Sequence, residues 1–170
     1  MAQSETLAKF PIRVLVAEDY EPFRRFLVSL LQNKWGVQVQ DIREVSDGLE
    51  AVQEAQRLQP DLILLDIGLP TLNGIEAARQ IRRLSPASKI IFVTQESSAD
   101  IVQEALNIGA CGYVVKTEVG KELLPALTAV LRGEQFLGRR FAGHDFREAR
   151  NLRTGYSASH SVVPLLLSRQ

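Results

Sequence analysis

The chain of 170 residues carries one cysteine, Cys111, so no disulfide can close within it and a reducing compartment is expected. It carries no net charge, because 20 Lys and Arg balance 20 Asp and Glu. No whole-chain field therefore draws it toward nucleic acid or anionic lipid. No stretch reaches the roughly 20 apolar residues needed to span a bilayer, and Met1 to Lys9 has no apolar core of a signal peptide. The expectation is a cytoplasmic protein with no membrane partner. Internal repeats are absent as well.

What remains is ordinary globular composition, 45% hydrophobic with a mean hydropathy of −0.03. The length suits one domain, or one domain with an extension. The neutrality hides an asymmetry. After Gly133, Arg139, Arg140, Arg147, Arg150, Arg153 and Arg169 face only Glu134, Asp145 and Glu148, so the tail is positive and the body negative.

Five β-type runs alternate with five helical patterns. The strands are expected at Ile12 to Ala17, around Val37 to Val45, at Leu62 to Asp66, Lys89 to Thr94 and Gly112 to Val115. Between them apolar residues recur at helical spacing: Phe23, Phe26, Leu27, Leu30, Leu31; Leu49, Val52, Ala55, Leu58; Ile75, Ala78, Ile81, Leu84; Ile101, Val102, Ala105, Leu106, Ile108; and Leu123, Leu124, Leu127, Val130, Leu131. Asp47-Gly48, Gln59-Pro60, Ser85-Pro86 and Gly109-Ala110 punctuate the boundaries. Such alternation predicts an α/β fold, a doubly wound five-stranded parallel sheet with helices on both faces. Right-handed crossovers then bring the ends of strands one, three, four and five to one edge.

That edge collects reactive side chains. Asp61-Leu62-Ile63-Leu64-Leu65-Asp66 is an apolar run ending in a carboxylate, and strand one runs into Glu18-Asp19. Open α/β sheets place their chemistry at this end. Three converging carboxylates repel one another unless a cation sits among them, and hard oxygen donors suit Mg²⁺. Read alone, the acidic pair is a loop acid and a helix cap, Thr94 a turn threonine, and Lys116 a surface lysine. Read together, Thr94 can donate to an oxyanion above Asp66, and Lys116 can pair with Asp66 or with a phosphoryl group on it.

The set resembles the receiver domain of two-component response regulators over about Ile12 to Arg132. Asp66-Ile67-Gly68-Leu69-Pro70-Thr71-Leu72-Asn73-Gly74 matches the phosphoacceptor motif, and Gly74 to Arg82 and Gly109 to Lys116 are similar to the NarL/LuxR-type subgroup. The resemblance implies the (βα)5 flavodoxin-like fold with strand order 2-1-3-4-5. It implies that Asp66 accepts a phosphoryl group from the phosphohistidine of a sensor histidine kinase or phosphotransfer protein. Asp19 and Asp66 would bind Mg²⁺ directly, the Gly68 backbone carbonyl would add an oxygen, and Glu18 would act largely through water. Thr94 and Lys116 would hold the phosphoryl oxygens. The protein would then be no enzyme in the ordinary sense, but a phosphoacceptor assisting its own phosphorylation and dephosphorylation. Thr94 and Tyr113 would form the switch, read out on helix four, strand five and helix five, roughly Ala99 to Arg132, by an unknown output protein. A homodimer is left open.

Three departures stand out. Thr117 follows Lys116 where many receivers have a cis proline, Gly68 lacks a side chain over the site, and Glu96 adds charge at the rim. By domain, residues 1–9 are expected to be a flexible N-terminus, 10–132 the receiver, and 133–170 an extension outside the family pattern. The extension offers a short charged helix over Asp145 to Leu152, a Ser/Gly-rich stretch and the apolar Val162-Val163-Pro164-Leu165-Leu166-Leu167, but no helix-turn-helix signature. Direct DNA binding is therefore not expected, and a truncated NarL/LuxR-type transcription regulator is the alternative. A flavodoxin-like cofactor binder would need a phosphate loop where Ala17-Glu18-Asp19-Tyr20 stands, and carboxylates there repel phosphate.

Overall fold

The computed structural model describes residues 11–146. Strands β1 (Ile12–Ala17), β2 (Val39–Val45), β3 (Leu62–Leu65), β4 (Lys89–Thr94) and β5 (Gly112–Val115) alternate with helices α1 (Glu21–Asn33), α2 (Gly48–Leu58), α3 (Gly74–Leu84), α4 (Ala99–Ile108) and α5 (Val119–Leu131). All strand pairs are parallel, in the order β2-β1-β3-β4-β5. A two-residue sixth strand, β6 (Phe136–Leu137), adds to the free edge of β5. Two residues carry no period, so the sequence pattern does not announce this strand. The second strand starts at Val39 rather than Val37, and β3 stops at Leu65, leaving Asp66 just beyond it.

The central stretches of β1, β3, β4 and β5 are apolar on both faces because each face is covered, whereas the edge strand β2 is mostly polar and exposed. Leu15, Ala17, Ile63, Leu65, Ile90, Phe92, Tyr113 and Val115 point to the side of α2, α3 and α4. Val14, Val16, Leu62, Leu64, Ile91, Val93 and Val114 point to the side of α1 and α5. This is the two-residue alternation of a strand buried between helical layers. Short polar side chains start the helices: Asp47, Asn73 and Ser98 accept the N–H of Glu50, Glu76 and Ile101.

The expected helical stripes are narrower than drawn. Phe26, Leu49 and Leu84 are exposed, whereas Leu27 and Leu31 carry the burial of α1. Phe26 lies one residue, about 100° of helix, away from Leu27 and so falls outside the core-facing stripe. After α5 the chain returns to the sheet, and Phe141 and Phe146 are buried on the α4 side. Residues 1–10 and 147–170 lie outside the described residues. With them go the N-terminal segment, most of the expected helix over 145–152, and the Val162 to Leu167 cluster.

Candidate functional site

The site is built by strand register. Ala17 pairs with Leu65 on one side and Val45 on the other. The ladder runs one residue further: the Asp66 N–H donates to the Ala17 carbonyl at 3.0 Å and the Glu18 N–H to the Val45 carbonyl at 3.1 Å. Glu18 and Asp66 thus leave adjacent strands at the same level. Thr94 pairs with Val115, and Lys116 follows at once. Arg24 fixes the turn after β1, donating from Nη1 to the Glu18 carbonyl at 2.8 Å while pairing with Glu44.

The loop after Asp66 folds back beneath it. The Gly74 N–H donates to the Ile67 carbonyl at 2.8 Å. Any Cβ on Gly74 would lie 1.9 Å from the Asp66 carbonyl oxygen, so only glycine fits. Gly48 meets the same loop, with its N–H on the Pro70 carbonyl at 3.2 Å and no room for a Cβ beside the Leu72 carbonyl. Two helix N-termini therefore clamp the segment that carries Asp66.

Within the cleft, the Lys116 ammonium lies 2.8 Å from Glu18 Oε2 and 2.9 Å from Asp66 Oδ2. The Phe23 ring covers it, with Nζ 4.9 Å from the ring centroid. Glu18 and Asp66 are buried at 1% and 6% exposure, whereas Asp19 is exposed at the mouth. Carboxylate oxygens of Glu18, Asp19 and Asp66 lie within 4.8 Å of one another. Burial, with the Asp66 charge adding to it, raises the Glu18 carboxyl above its ordinary value against the opposing pull of Lys116. Burial disfavours the Lys116 ammonium, but the bonds and charges of Glu18 and Asp66 outweigh it and raise the amine. One ammonium faces three acids. That imbalance, in an all-oxygen donor set open to a cleft of about 540 Å³, fits a hard divalent cation.

The sequence profile of the response regulator receiver domain matches residues 14–128. The chain belongs to the response regulator receiver family. It is 38% identical over 132 residues to the transcriptional regulatory protein LiaR of Bacillus subtilis (strain 168), covering 78% of this chain and 62% of LiaR. It is 37% identical over 122 residues to the transcriptional regulatory protein PdtaR of Mycobacterium tuberculosis, covering 71% and 57%. Among solved structures it resembles a LuxR-family two-component response regulator from Aurantimonas sp. SI85-9A1, with a TM-score of 0.71 and 28% identity over 85% of this chain and 99% of that one. The receiver of NarL from Mycobacterium tuberculosis gives a TM-score of 0.65 at 27% identity, over 73% and 98%. This receiver is thus flavodoxin-like and of the LuxR/NarL type, and the chain spans about three-fifths of the length of the curated relatives it matches.

The receiver's cleft gathers Glu18, Asp19, Asp66, Gly68, Thr94 and Lys116, all of which the sequence pointed to. Tyr113 is not among them. It is fully buried behind the cleft, and its hydroxyl donates to the Glu96 carbonyl at 2.8 Å, so the hydroxyl is engaged rather than exposed. Burial, then the Glu96 and Asp66 charges, push its phenol well above the ordinary tyrosine value. Thr94 Oγ1 accepts the Glu96 N–H at 3.4 Å, so one loop residue touches both. Lys116 leads into a 3-10 turn, Lys116–Glu118, and the Lys116–Thr117 bond is trans. Sequence reasoning missed Tyr20, Phe23 and Gln95 in the lining. Phe23, in the first turn of α1, looks in the sequence like one more residue of that helix's apolar stripe, and nothing in its spacing announces the contact with Lys116.

Proposed function

We propose that Asp66 is the phosphoacceptor of this receiver, taking a phosphoryl group from the phosphohistidine of a sensor histidine kinase or phosphotransfer protein. The observation that carries the reading is the Lys116 ammonium lying 2.9 Å from the carboxylate of a 6%-exposed Asp66 at the floor of an acidic cleft. An Asp66 oxygen attacks phosphorus, the P–N bond breaks, and its electron pair returns to the imidazole. An ionised carboxylate needs no general base.

Lys116, now on the Asp66 carboxylate, pairs with the oxygens of the transferred phosphoryl group, and the Thr94 hydroxyl supplies a second donor from the neighbouring strand end. Such placed charges and donors do most of the work in phosphoryl transfer. Asp19, Asp66 and the Gly68 carbonyl would hold Mg²⁺ directly, with Glu18 acting largely through water. Bound there, the metal supplies charge neutralisation for the transferring group. The protein is then a phosphoacceptor that assists its own modification and reversal, with output through the surface of α4, β5 and α5 to another protein.

The test is intact mass after incubation with acetyl phosphate and Mg²⁺. Wild type gains one phosphoryl group and Asp66→Asn gains none. Equal gain in both, or none in a folded wild type, removes the reading. A second reading, the receiver portion of a DNA-binding transcription regulator, draws support from the relatives named as transcriptional regulators and from the partial span. Coding sequence beyond Gln170 that encodes a helix-turn-helix in frame would favour it.

A further inference from the structure

Residues 134–146 fall outside the span matched to the family, yet they are tied to the sheet at several points. β6 sits on β5 with Gly112 opposite Phe136 and Tyr113 opposite Leu137. The Phe136 N–H donates to the Cys111 carbonyl at 3.0 Å and the Gly138 N–H to the Tyr113 carbonyl at 3.3 Å. Glu122 of α5, only 8% exposed, then accepts the Arg139 N–H at 2.9 Å. The fit is close enough that a Cβ on Gly138 would lie 2.4 Å from Glu122 Oε2. These ties fix a 3-10 turn, Arg139–Phe141, and drive the Phe141 ring to 2% exposure.

Phe141 ends against Tyr113. The two rings meet edge to face, 5.6 Å between centroids at 90°, while Phe92 lies 6.1 Å away as a second ring neighbour. Tyr113 in turn holds the Glu96 carbonyl, and the Glu96 N–H meets Thr94 Oγ1. A continuous line of contacts therefore runs from the extension to the wall of the phosphoacceptor cleft. Removing the Phe141 ring opens one side of Tyr113 and frees its χ1, which is otherwise fixed by packing.

We propose that residues 136–146 form a latch in which Phe141 is a positioning residue for Tyr113, and through it for Thr94. The latch holds Tyr113 on the Glu96 carbonyl, the arrangement that sets the Glu96 N–H against Thr94 Oγ1, so latch docking and phosphoryl occupancy of Asp66 favour each other. Such coupling is reciprocal. The inference rests on the phosphoacceptor reading of Asp66. It makes the segment after α5 the far end of a line of contacts that begins at the phosphoacceptor cleft.

The test uses the full chain as wild type, Phe141→Ala, Phe141→Leu, Tyr113→Ala and the Phe141→Ala/Tyr113→Ala pair. Phosphorylation by acetyl phosphate and Mg²⁺ is followed by intact mass. The ring of Tyr113 is followed by ¹⁹F NMR of 3-fluorotyrosine-labelled protein, with its resonance assigned through Tyr113→Phe. Phe141→Ala is expected to shift the Tyr113 resonance and slow phosphorylation roughly five-fold, the size of one edge-to-face pair. Phe141→Leu, which keeps the fold should alanine not, gives a smaller change in the same direction. With Tyr113→Ala as background, Phe141→Ala has no further effect on the rate. An unmoved resonance with an unchanged rate in the folded variants overturns the latch, as does an equal loss with and without Tyr113. If wild type itself gains no phosphoryl group, the phosphoacceptor reading and the latch fall together. Normal wild type beside unaltered Phe141 variants sinks the latch alone.

Discussion

Gly74→Ala should damage both the stability of this receiver and the chemistry of Asp66. The added methyl would lie 1.9 Å from the Asp66 carbonyl oxygen, 2.7 Å from Ile67 Cα and 2.8 Å from the Asp66 carbonyl carbon. All three are backbone atoms, so no side chain can swing away. Reaching an ordinary contact near 3.4 Å requires a retreat of about 1.5 Å. Overpacking of a tight core costs about 1–3 kcal/mol, and an obstacle made wholly of backbone belongs near 3. For a domain of this size that is a fall in Tm of roughly 10 °C. The retreat also carries Asp66 with it, and a misplacement of about 1 Å at a reacting group costs on the order of 100-fold in rate. Thermal unfolding by circular dichroism and phosphorylation followed by intact mass read the two effects separately. Gly68→Ala is the control for stability, because nothing lies within 4 Å of the position its Cβ would take; its Tm should stay within about 2 °C of wild type. A Gly74→Ala protein that melts within about 3 °C of wild type and is modified within about two-fold of its rate would refute the argument from close approach.

Lys116→Met removes the ammonium held 2.8 and 2.9 Å from Glu18 and Asp66. Mg²⁺ affinity, measured by calorimetric titration, should rise, since the competing cation is gone, while phosphorylation slows on the order of 100-fold for want of a placed donor. Unchanged affinity would show that the ammonium does not compete for the acids. Glu18→Gln should raise Tm in Mg-free buffer near neutral pH, because burial and Asp66 already disfavour the Glu18 charge. The folded pKa of Glu18 lies above its unfolded one, so the folded state binds more protons between the two values. The cost of its ionised form is thus full above the folded pKa and disappears as pH falls below the unfolded one. The advantage of Glu18→Gln should shrink accordingly in melts on the acid side, and an advantage that grows there would contradict the sign.

The parts of the site legible in the sequence are those that depend on strand ends. Glu18, Asp66, Thr94 and Lys116 each follow an apolar run, and parallel topology alone brings such ends together. Gly74 and Asn73 were legible as a motif, although the reason for Gly74, a carbonyl oxygen beneath its Cα, needs coordinates. Tyr113 was legible as an aromatic on β5, but its partner is the backbone carbonyl of Glu96, which no side-chain pattern announces. Phe141 and β6 were illegible for a related reason. A two-residue strand has no period, and its place is set by unpaired groups on β5 and by the Glu122 carboxylate. Phe26 and Leu49 misled because an apolar residue at the margin of a stripe reads the same as one at its centre.

The two borders of the sheet are guarded by different means. On β2 the exposed positions Gln40, Asp41, Arg43 and Glu44 are polar or charged, which deters another strand from pairing there. β5 carries no charge along its border, since Gly-Tyr-Val-Val is apolar throughout. What covers its Cys111 and Tyr113 carbonyls is β6 and Gly138. A receiver cut at Arg132 would leave the Cys111 and Tyr113 carbonyls without these two donors and open the β5 ladder to solvent or to another strand. Residues 134–146 thus act as a cover strip on the β5 border of the sheet.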